Sequence, residues 1–348
     1  MFTSYARAAG RRRARPAKLN LLVLTFLAAA SAARPGSARA ATIRVEAGGD
    51  FQAALDLAQP GDTIELAAGP RSRPRPARGR SRCPTSRARA RTPTGSRSAP
   101  PRPMRACPPA GQRITPAYAA VLPKVVSRGF GEPALRTAAS AHHYRFVGVE
   151  FRPADSSALV FDLVMLGDNG PNQDTLAEVP HHLVLDRCYV HALPEQALKR
   201  GVQLNSAYTD IINSYVAGFK VVGQEAQAVG SWNGPGPFKL INNYLEGAGE
   251  NVIFGGTDAP IPNLVAEDIE VRRNHFFKPL SWRVGDPCDC YGGTHWMVKS
   301  IFELKNARRV TVDGNVFENN WATRRTVSPS CSPCVTGRGT TRGSRSRT

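Results

Sequence analysis

Residues 269–276, IEVRRNHF, carry the pattern that decides the fold. An apolar, a polar and a second apolar residue are followed by two polar residues, an asparagine, a polar residue and an aromatic ring. Because side chains alternate along a strand, the first and third residues point to the same side, into a core. The next two residues turn the chain, and a further strand follows the asparagine. The stretch therefore predicts two strands joined by a tight corner.

The same pattern recurs along the chain from about residue 142 onward, at intervals of 26 to 41 residues. The segments are 144–151, 183–190, 209–216, 238–245, 269–276 and 310–317, and their sixth positions hold Val149, Cys188, Ser214, Asn243, Asn274 and Asn315. A small or amide side chain at a corner can hydrogen-bond to its copy in the next coil, about 4.8 Å away. The repeat predicts an all-β fold, a right-handed parallel β-helix or solenoid in which each coil covers its neighbour.

Two other repeat architectures fit this pattern less well. In a β-sandwich, strands recur about every 8–12 residues with short turns, whereas the interval here is much longer. A leucine-rich repeat requires a regular ladder of leucines and helical spacers, and the sequence has neither.

The beginning of the patterned sequence predicts a capped first coil. Residues 42–69 contain a strand, a glycine-rich turn, a short helix with Phe51, Ala54, Leu55 and Ala58 on one face, a second turn and a strand. We expect the short N-terminal helix to cap the open end of the solenoid, which otherwise exposes a sheet edge and apolar side chains.

The stretch VEAGGDFQAALDLAQPGDTIEL, residues 45–66, resembles the N-terminal cap and first coil of the pectate-lyase-like β-helix superfamily. The resemblance covers residues 42–69 and about 114–321. It implies a polysaccharide lyase-like protein that binds or cleaves an acidic polysaccharide along one lateral groove. A lyase of this kind needs a basic side chain to remove a proton beside a uronate carboxylate. It also needs that carboxylate neutralised, for which Ca²⁺ held by carboxylates is the expected cofactor.

The formal net charge of +19 is concentrated outside the patterned sequence. Residues 1–41, 71–110 and 322–348 hold 26 of the 46 Lys and Arg residues and none of the 27 Asp and Glu residues. The other 240 residues contain 20 basic and 27 acidic side chains, a net charge of −7. A basic surface for nucleic acid is therefore not expected on the patterned part of the chain.

Residues 1–40 have the features of a signal peptide: a basic run, an apolar stretch that begins at Leu19, and Ala38-Arg39-Ala40 as a cleavage site. The apolar stretch of 15 residues is short for a hydrocarbon core of about 30 Å. We expect a secreted, periplasmic or cell-surface protein, monomeric and without a membrane span after the signal is removed. The β-helix domain is predicted over residues 41–321.

Residues 71–110 and the tail 322–348 interrupt the pattern with arginine, proline and serine. Three explanations are open: a disordered basic arm that binds polyanions, a proline-rich linker, and translation in the wrong reading frame. A frame shift turns the serine and cysteine codons after residue 327 into codons for apolar residues, which restores a strand. We favour frame errors for both disordered segments, so that a coil near the start and later coils at the end are missing.

Two basic residues are the predicted catalytic groups, Lys305 and Arg200. Glu303 and Lys305 are two residues apart on a predicted strand and share a face, as in the alginate- and chondroitin-lyase branch, which the segment resembles. Lys199 and Arg200 lie at a loop-to-strand junction, where they are suited to neutralising a sugar carboxylate. A solvated ion pair and solvated loop charges are the structural alternatives.

The other predicted site residues fall into a metal set and a sugar-binding set. Glu250, beside a glycine-rich turn, and Glu303 are the predicted calcium ligands, with Asn251 as a substrate contact. Trp232 and Trp296 lie on glycine-rich loops, where an aromatic ring can stack on a sugar. The structural alternatives are a polar corner for the first group and rings folded back on the solenoid for the second.

The competing functional class is a non-catalytic surface or adhesion solenoid. If the protein is an enzyme, these side chains should meet in one lateral groove. If it is a scaffold, they should be scattered.

The histidine pairs at 142–143 and 181–182 are expected to be poor chelates, because neighbours on a strand point to opposite faces.

Overall fold

The computed structural model of the chain describes residues 40–59, 61–68, 107–283 and 294–321, and the backbone of 82–83. The predicted signal peptide up to residue 39, most of the segment 71–110 and the tail 322–348 lie outside the described residues. None of the helices in the described part of the chain has the length and apolar character needed to cross a membrane.

The described residues form mostly short β-strands. In chain order these are β1 (Thr42–Val45), β2 (Thr63–Leu66), β3 (Arg82–Cys83), β4 (Lys124–Ser127), β5 (Leu135–Thr137), β6 (Arg145–Val147), β7 (Glu150–Pro153), β8 (Asp162–Leu166), β9 (His181–Asp186), β10 (Tyr189–His191), β11 (Arg200–Leu204), β12 (Ala207–Ile212), β13 (Tyr215–Phe219), β14 (Gln227–Ser231), β15 (Phe238–Ile241), β16 (Tyr244–Gly247), β17 (Glu250–Phe254), β18 (Ala266–Arg272), β19 (His275–Phe277), β20 (Phe302–Leu304), β21 (Ala307–Asp313) and β22 (Val316–Glu318). One α-helix, α1 (Phe51–Leu57), and short 3-10 turns at Pro116–Ala120, Leu176–Glu178 and Leu280–Trp282 complete them.

Three parallel sheets contain all the strands from β3 onward. The first sheet has the order β4-β7-β10-β13-β16-β19-β22, the second β3-β5-β8-β11-β14-β17-β20 and the third β6-β9-β12-β15-β18-β21. From β4 on, consecutive strands enter the first, second and third sheet in turn, and every third strand pairs in parallel with the one before it. This path is consistent with the predicted parallel β-helix. Its right-handedness stays a prediction.

The corner between the third and first sheets contains the predicted ladder of hydrogen bonds. The backbone N–H of Ser214 donates to Asn243 Oδ1, that of Asn243 to Asn274 Oδ1 and that of Asn274 to Asn315 Oδ1, each over 2.8 Å. The N–H of Cys188 donates to Ser214 Oγ over 3.0 Å. The prediction that the corner residues stack along one edge is confirmed.

The residue before each ladder position turns the chain. It adopts a left-handed conformation in every described coil, with φ between 53° and 63° at Gly148, Arg187, Asn213, Asn242, Arg273 and Gly314. Glycine and asparagine adopt this conformation readily. The two arginines adopt it at a cost, and Arg187 is held by its side-chain contacts with Asp186 and the carbonyl of Pro108.

The apolar core lies between the three sheets. Phe151, Phe219, Phe238, Phe254 and Phe276 are all fully buried. Each ring contributes roughly 1.5–3 kcal/mol by leaving water. The alternation predicted for the strands is confirmed by β12, in which Thr209 and Ile211 are buried while Tyr208 is exposed.

The helix α1 forms where the sequence predicts a short helix. Asp50 caps it by accepting a hydrogen bond from the N–H of Ala53 over 3.0 Å. Ala54 and Leu55 are buried, and Leu55 joins the main core. α1 contacts β1, β2 and β3, so its apolar face covers the beginning of the described stack.

Replacing Asn274 by alanine tests the corner ladder. Asn274 Nδ2 donates to the carbonyl of Leu240 over 2.7 Å, and its Oδ1 accepts from the N–H of Asn243. Both backbone groups are fully buried and lose their partner in the variant, at about 1–3 kcal/mol for each group. We expect Asn274→Ala to lower the free energy of unfolding by about 2–6 kcal/mol in chemical denaturation.

The matched control is Asn172→Ala, since Asn172 is exposed and bonds only to Asp168 four residues away among the described residues. Surface changes of this kind shift stability by about 0.5 kcal/mol or less. Equal effects of the two substitutions would show that the ladder does not hold the coils together.

Candidate functional site

A row of four polar side chains crosses the second sheet where its strands begin. The backbone register aligns Asp162, Arg200, Gln227 and Glu250, the first residues of β8, β11, β14 and β17. Arg200 Nη1 pairs with Asp162 Oδ1, and Arg200 Nε donates to Gln227 Oε1 over 3.2 Å. Gln227 Nε2 then donates to Glu250 Oε2 over 2.9 Å. This charged row, Asp162 to Glu250, links four successive coils.

Two glycines place the arginine of the charged row on the outer face of the sheet. A Cβ at Gly201 would lie 2.6 Å from the ring of Phe219, so this position faces the core. A Cβ at Gly230 would lie 3.2 Å from Arg200 Nε and 2.4 Å from Trp232 Cη2. Only a position without a side chain lets Arg200 and Trp232 lie against the sheet here.

Trp232 and Lys305 lie next to the charged row. The guanidinium carbon of Arg200 is 4.0 Å from the ring centroid of Trp232, a cation–π contact. A Cβ on Gly256 would be 3.4 Å from Trp232 Nε1 and 3.5 Å from Lys305 Cδ, so both side chains border this glycine. Lys305 Nζ is 3.3 Å from Glu303 Oε1, and its side chain is 42% exposed. An indole and an accessible amine therefore adjoin the arginine.

Lys299 neutralises the acidic end of the row. Its Nζ lies 2.6 Å from Glu225 Oε1, 2.8 Å from Glu250 Oε1 and 3.8 Å from Glu303 Oε2. The backbone N–H of Lys299 donates to the carbonyls of Ala248 and Gly249, which holds the chain beside the sheet. One ammonium group thus occupies the point where three carboxylates converge.

The pKa shifts follow from burial and from these charges. Burial raises the pKa of the Glu250 carboxyl, against the hydrogen bonds from Lys299 and Gln227. Burial also acts to raise the pKa of Glu303, but the charges of Lys299 and Lys305 outweigh it and leave that pKa lowered. Burial acts to lower the pKa of Lys299, yet hydrogen bonds to Glu225 and Glu250 raise it. The amine at the centre of the carboxylates stays charged.

These residues do not fit a resident calcium ion. Carboxylate oxygens are suitable calcium ligands, but those of Glu250 and Glu303 already face Lys299 Nζ. A cation placed between them would displace that ammonium group or repel it. These carboxylates are therefore not assigned to a calcium ion.

The structure brings together five of the predicted site residues and separates three others from them. Arg200, Trp232, Glu250, Glu303 and Lys305 share one face of the second sheet, as the contacts above show. Two basic side chains, two acidic ones and an indole thus lie beside one another in the described part of the chain.

Asn251, Trp296 and Lys199 have other surroundings. Asn251 is fully buried, and its Nδ2 donates to the carbonyls of Leu245 and Phe277 over 2.7 and 2.8 Å, so no ligand can reach it. Trp296 packs in a separate cluster with Ala248, Trp282 and Val298. Lys199 is half-buried, and its backbone carbonyl accepts the N–H of Gln227.

Sequence reasoning missed Asp162, Gln227, Glu225 and Lys299. The sequence repeat marks the corner between the third and first sheets and carries no information on the register of the second sheet. The charged row leaves one signal in the sequence. The four strands that carry it begin with a polar residue followed by a small or apolar one, as the first two letters DL, RG and QA show; the fourth strand begins less regularly with EN.

A second row on the first sheet consists of aromatic rings. Tyr189, Tyr215 and Tyr244 occupy one register position, and the last two stack at a centroid distance of 4.1 Å. Tyr244 donates to Glu246 Oε2 over 2.9 Å. Contacts between neighbouring coils account for this row.

Comparison with models of known families, with characterised proteins and with solved structures gives no match to this chain.

Replacing Glu250 by glutamine tests the electrostatics of the row. Because burial raises the pKa of Glu250 above its ordinary 4.5, the folded state binds this proton more tightly than the unfolded state. The contribution of Glu250 to the free energy of unfolding is therefore complete below pH 4.5 and is lost as the pH rises through its raised pKa. Relative to the wild type, Glu250→Gln should gain unfolding free energy across that window, by up to about 1.4 kcal/mol per pH unit.

Chemical denaturation from about pH 4 to about pH 8 measures this difference. Glu132→Gln is the control, because the Glu132 side chain is 53% exposed and lies 3.8 Å from its partner Arg136. If the difference in unfolding free energy between the wild type and Glu250→Gln does not change with pH, the raised pKa of Glu250 is contradicted.

Proposed function

We propose that this chain is an exported, monomeric, right-handed parallel β-helix of the pectate-lyase-like type that binds an acidic polysaccharide and cleaves it by β-elimination. The observation that carries the proposal is the meeting of Arg200, Trp232 and Lys305 on one lateral face. An indole, a guanidinium and an amine side by side match the ring, the carboxylate and the reacting C–H of a uronate unit. The coiled path of the three sheets and the capping helix α1 support the fold type.

Arg200 is the group proposed to hold the uronate carboxylate. Its hydrogen bonds among the described residues use Nε and Nη1, which leaves Nη2 to donate to a ligand. Burial lowers the pKa of Arg200, and the ion pair with Asp162 partly offsets this while holding the guanidinium against Trp232. A preorganised donor of this kind stabilises negative charge as it develops on the carboxylate during proton removal.

Lys305 is the proposed base. In its neutral form the amine accepts the proton from the carbon beside the carboxylate. The electron pair of that C–H bond forms a carbon–carbon double bond as the glycosidic C–O bond breaks, and the departing oxygen takes up a proton from solvent. Glu303, 3.3 Å from Lys305 Nζ, positions the amine.

Trp232 is proposed to stack on a sugar ring. Lys299 is proposed to take the place of a metal ion, because the Lys299 ammonium group, bound by Glu225 and Glu250, keeps positive charge at the acidic end of the row. The proposed elimination therefore needs no added metal. An elimination rate that a chelator lowers would contradict this and would support the calcium assistance expected from the sequence.

Lys305→Ala is the first test of the proposed reaction. Loss of the proton acceptor should lower the rate of elimination by about 100-fold or more, while the fold remains because Lys305 lies on the surface. The assay follows the ultraviolet absorbance of the new double bond with pectate, alginate and chondroitin as separate substrates. Lys239→Ala, an exposed lysine of the third sheet, should retain the wild-type rate.

Binding measured on the same polymers separates the two functional classes. A wild-type protein that binds one polymer without forming double bonds is a non-catalytic scaffold, and the lyase proposal is then wrong. If the protein neither binds nor cleaves any of the three polymers, the acidic-polysaccharide proposal is wrong for these substrates.

Trp232→Ala tests the sugar-binding role. Without the indole, affinity for short oligomers of the recognised polymer should fall roughly tenfold, as measured by titration calorimetry. Trp296→Ala is the matched control, because Trp296 packs with Trp282 and Val298 in a cluster that does not include Arg200 or Trp232. It should reduce thermal stability and leave affinity unchanged. The reverse result would place the sugar at the Trp296 cluster.

A further inference from the structure

Two histidine pairs lie one above the other on the third sheet. His142 and His143 precede β6, and His181 and His182 begin β9. His142 and His181 form a parallel bridge, so the second pair sits on the first in the next coil. The four imidazoles come from residues 142–143 and 181–182, and we call them the histidine cluster.

The expectation that each pair points to opposite faces is wrong. The two Nδ1 atoms of His142 and His143 are 2.8 Å apart, and those of His181 and His182 are 2.7 Å apart. The physical reason is the left-handed backbone at the second residue of each pair, with φ of 63° at His143 and 55° at His182. This conformation interrupts the alternation of the strand and turns both rings to one side.

Later coils have a left-handed residue at the same position, and there too it turns two consecutive side chains to one side. Asp268 and Arg309 adopt φ of 56° and 53° at the register position that corresponds to His182. There Arg309 contacts both Asp268 and its neighbour Glu267, at 2.6 and 2.7 Å. Two consecutive side chains thus face solvent together in those coils as well. The geometry of the histidine cluster is therefore a property of the fold at this corner.

Ring stacking fixes the two pairs relative to each other. His142 stacks on His181 with centroids 5.0 Å apart and planes 8° apart, and His143 stacks on His182 at 4.5 Å and 4°. Tyr208 of the following coil covers His182 at 4.7 Å. A nitrogen of each of His143, His181 and His182 lies within 4.8 Å of the others. Three imidazole nitrogens thus lie close to one another, with His142 beside them.

The chemistry of these donors selects the kind of ion. Imidazole nitrogens suit zinc, copper and nickel, whereas calcium and magnesium require oxygen ligands. In a tetrahedral zinc site with Zn–N bonds of about 2.0–2.1 Å, ligand nitrogens are roughly 3.4 Å apart. The Nδ1 atoms within each pair, 2.8 and 2.7 Å apart, would move apart by about 0.6–0.7 Å, which a rotation of the rings allows. His182 is exposed, so an ion can enter from solvent.

We propose that the histidine cluster binds one divalent transition-metal ion of the zinc type, with His143, His181 and His182 as ligands and His142 as a fourth ligand or as the partner that orients His143. The ion would join two successive coils through their side chains. This site lies on the third sheet, apart from the charged row of the second sheet, and has no part in the proposed elimination.

Titration calorimetry of the full chain, produced without a histidine tag, tests the site with ZnCl₂. We expect one Zn²⁺ per chain from this site, and a higher melting temperature with zinc that a chelator reverses. Co²⁺ in place of Zn²⁺ should give the visible absorption of tetrahedral coordination. His143→Ala and His182→Ala should each weaken binding by roughly 100-fold.

His275→Ala is the matched control, because His275 lies on the first sheet and pairs with Glu318 over 2.8 Å. It should bind zinc as the wild type does. Circular dichroism of the apo variants checks that they fold. Zinc binding that survives both His143→Ala and His182→Ala would place the ion elsewhere in the chain, and binding that is absent from the folded wild type would refute the site outright.

Discussion

The buried hydrogen bonds between corner amides determine where every coil lies. Asn243 and Asn274 each receive a backbone N–H from the coil before and pass their own N–H to the next. A slip of one residue between coils would leave these fully buried groups unpaired, at about 1–3 kcal/mol each. It would also turn apolar side chains such as Val271 outward. The amide ladder and the core therefore specify the same register.

The charged row is a consequence of that register. Asp162, Arg200 and Glu250 are distant in sequence, and each alone would be an unfavourable charge at the edge of a core. Because the coils stack without slipping, each meets a partner of opposite charge or a bridging amide. Breaking one contact leaves a buried charge uncompensated, which is costly. The same constraint that makes the solenoid stable thus holds the proposed binding groups in fixed positions.

The parallel-coil fold could be predicted from the sequence, whereas the site could be predicted only in part. The corner ladder from Ser214 to Asn315 was predictable because each member depends on local rules of alternation and turning. Lys305 and Glu303 were predictable as a pair because they are two residues apart on one strand. Lys299 was not, since its three carboxylate partners come from three coils whose relative register no local pattern shows.

The errors at Asn251 and at the histidine pairs have different causes. Asn251 obeys alternation: Glu250 lies in the outer row, so its neighbour on β17 points inward, where the carbonyls of Leu245 and Phe277 accept its amide protons. The histidine pairs break alternation, because the left-handed second residue turns both rings to the same side. They lie where a coil passes from the second sheet to the third. At this bend consecutive side chains are brought together and stacked from coil to coil. The straight strands, by contrast, supply the core that keeps the bends in place.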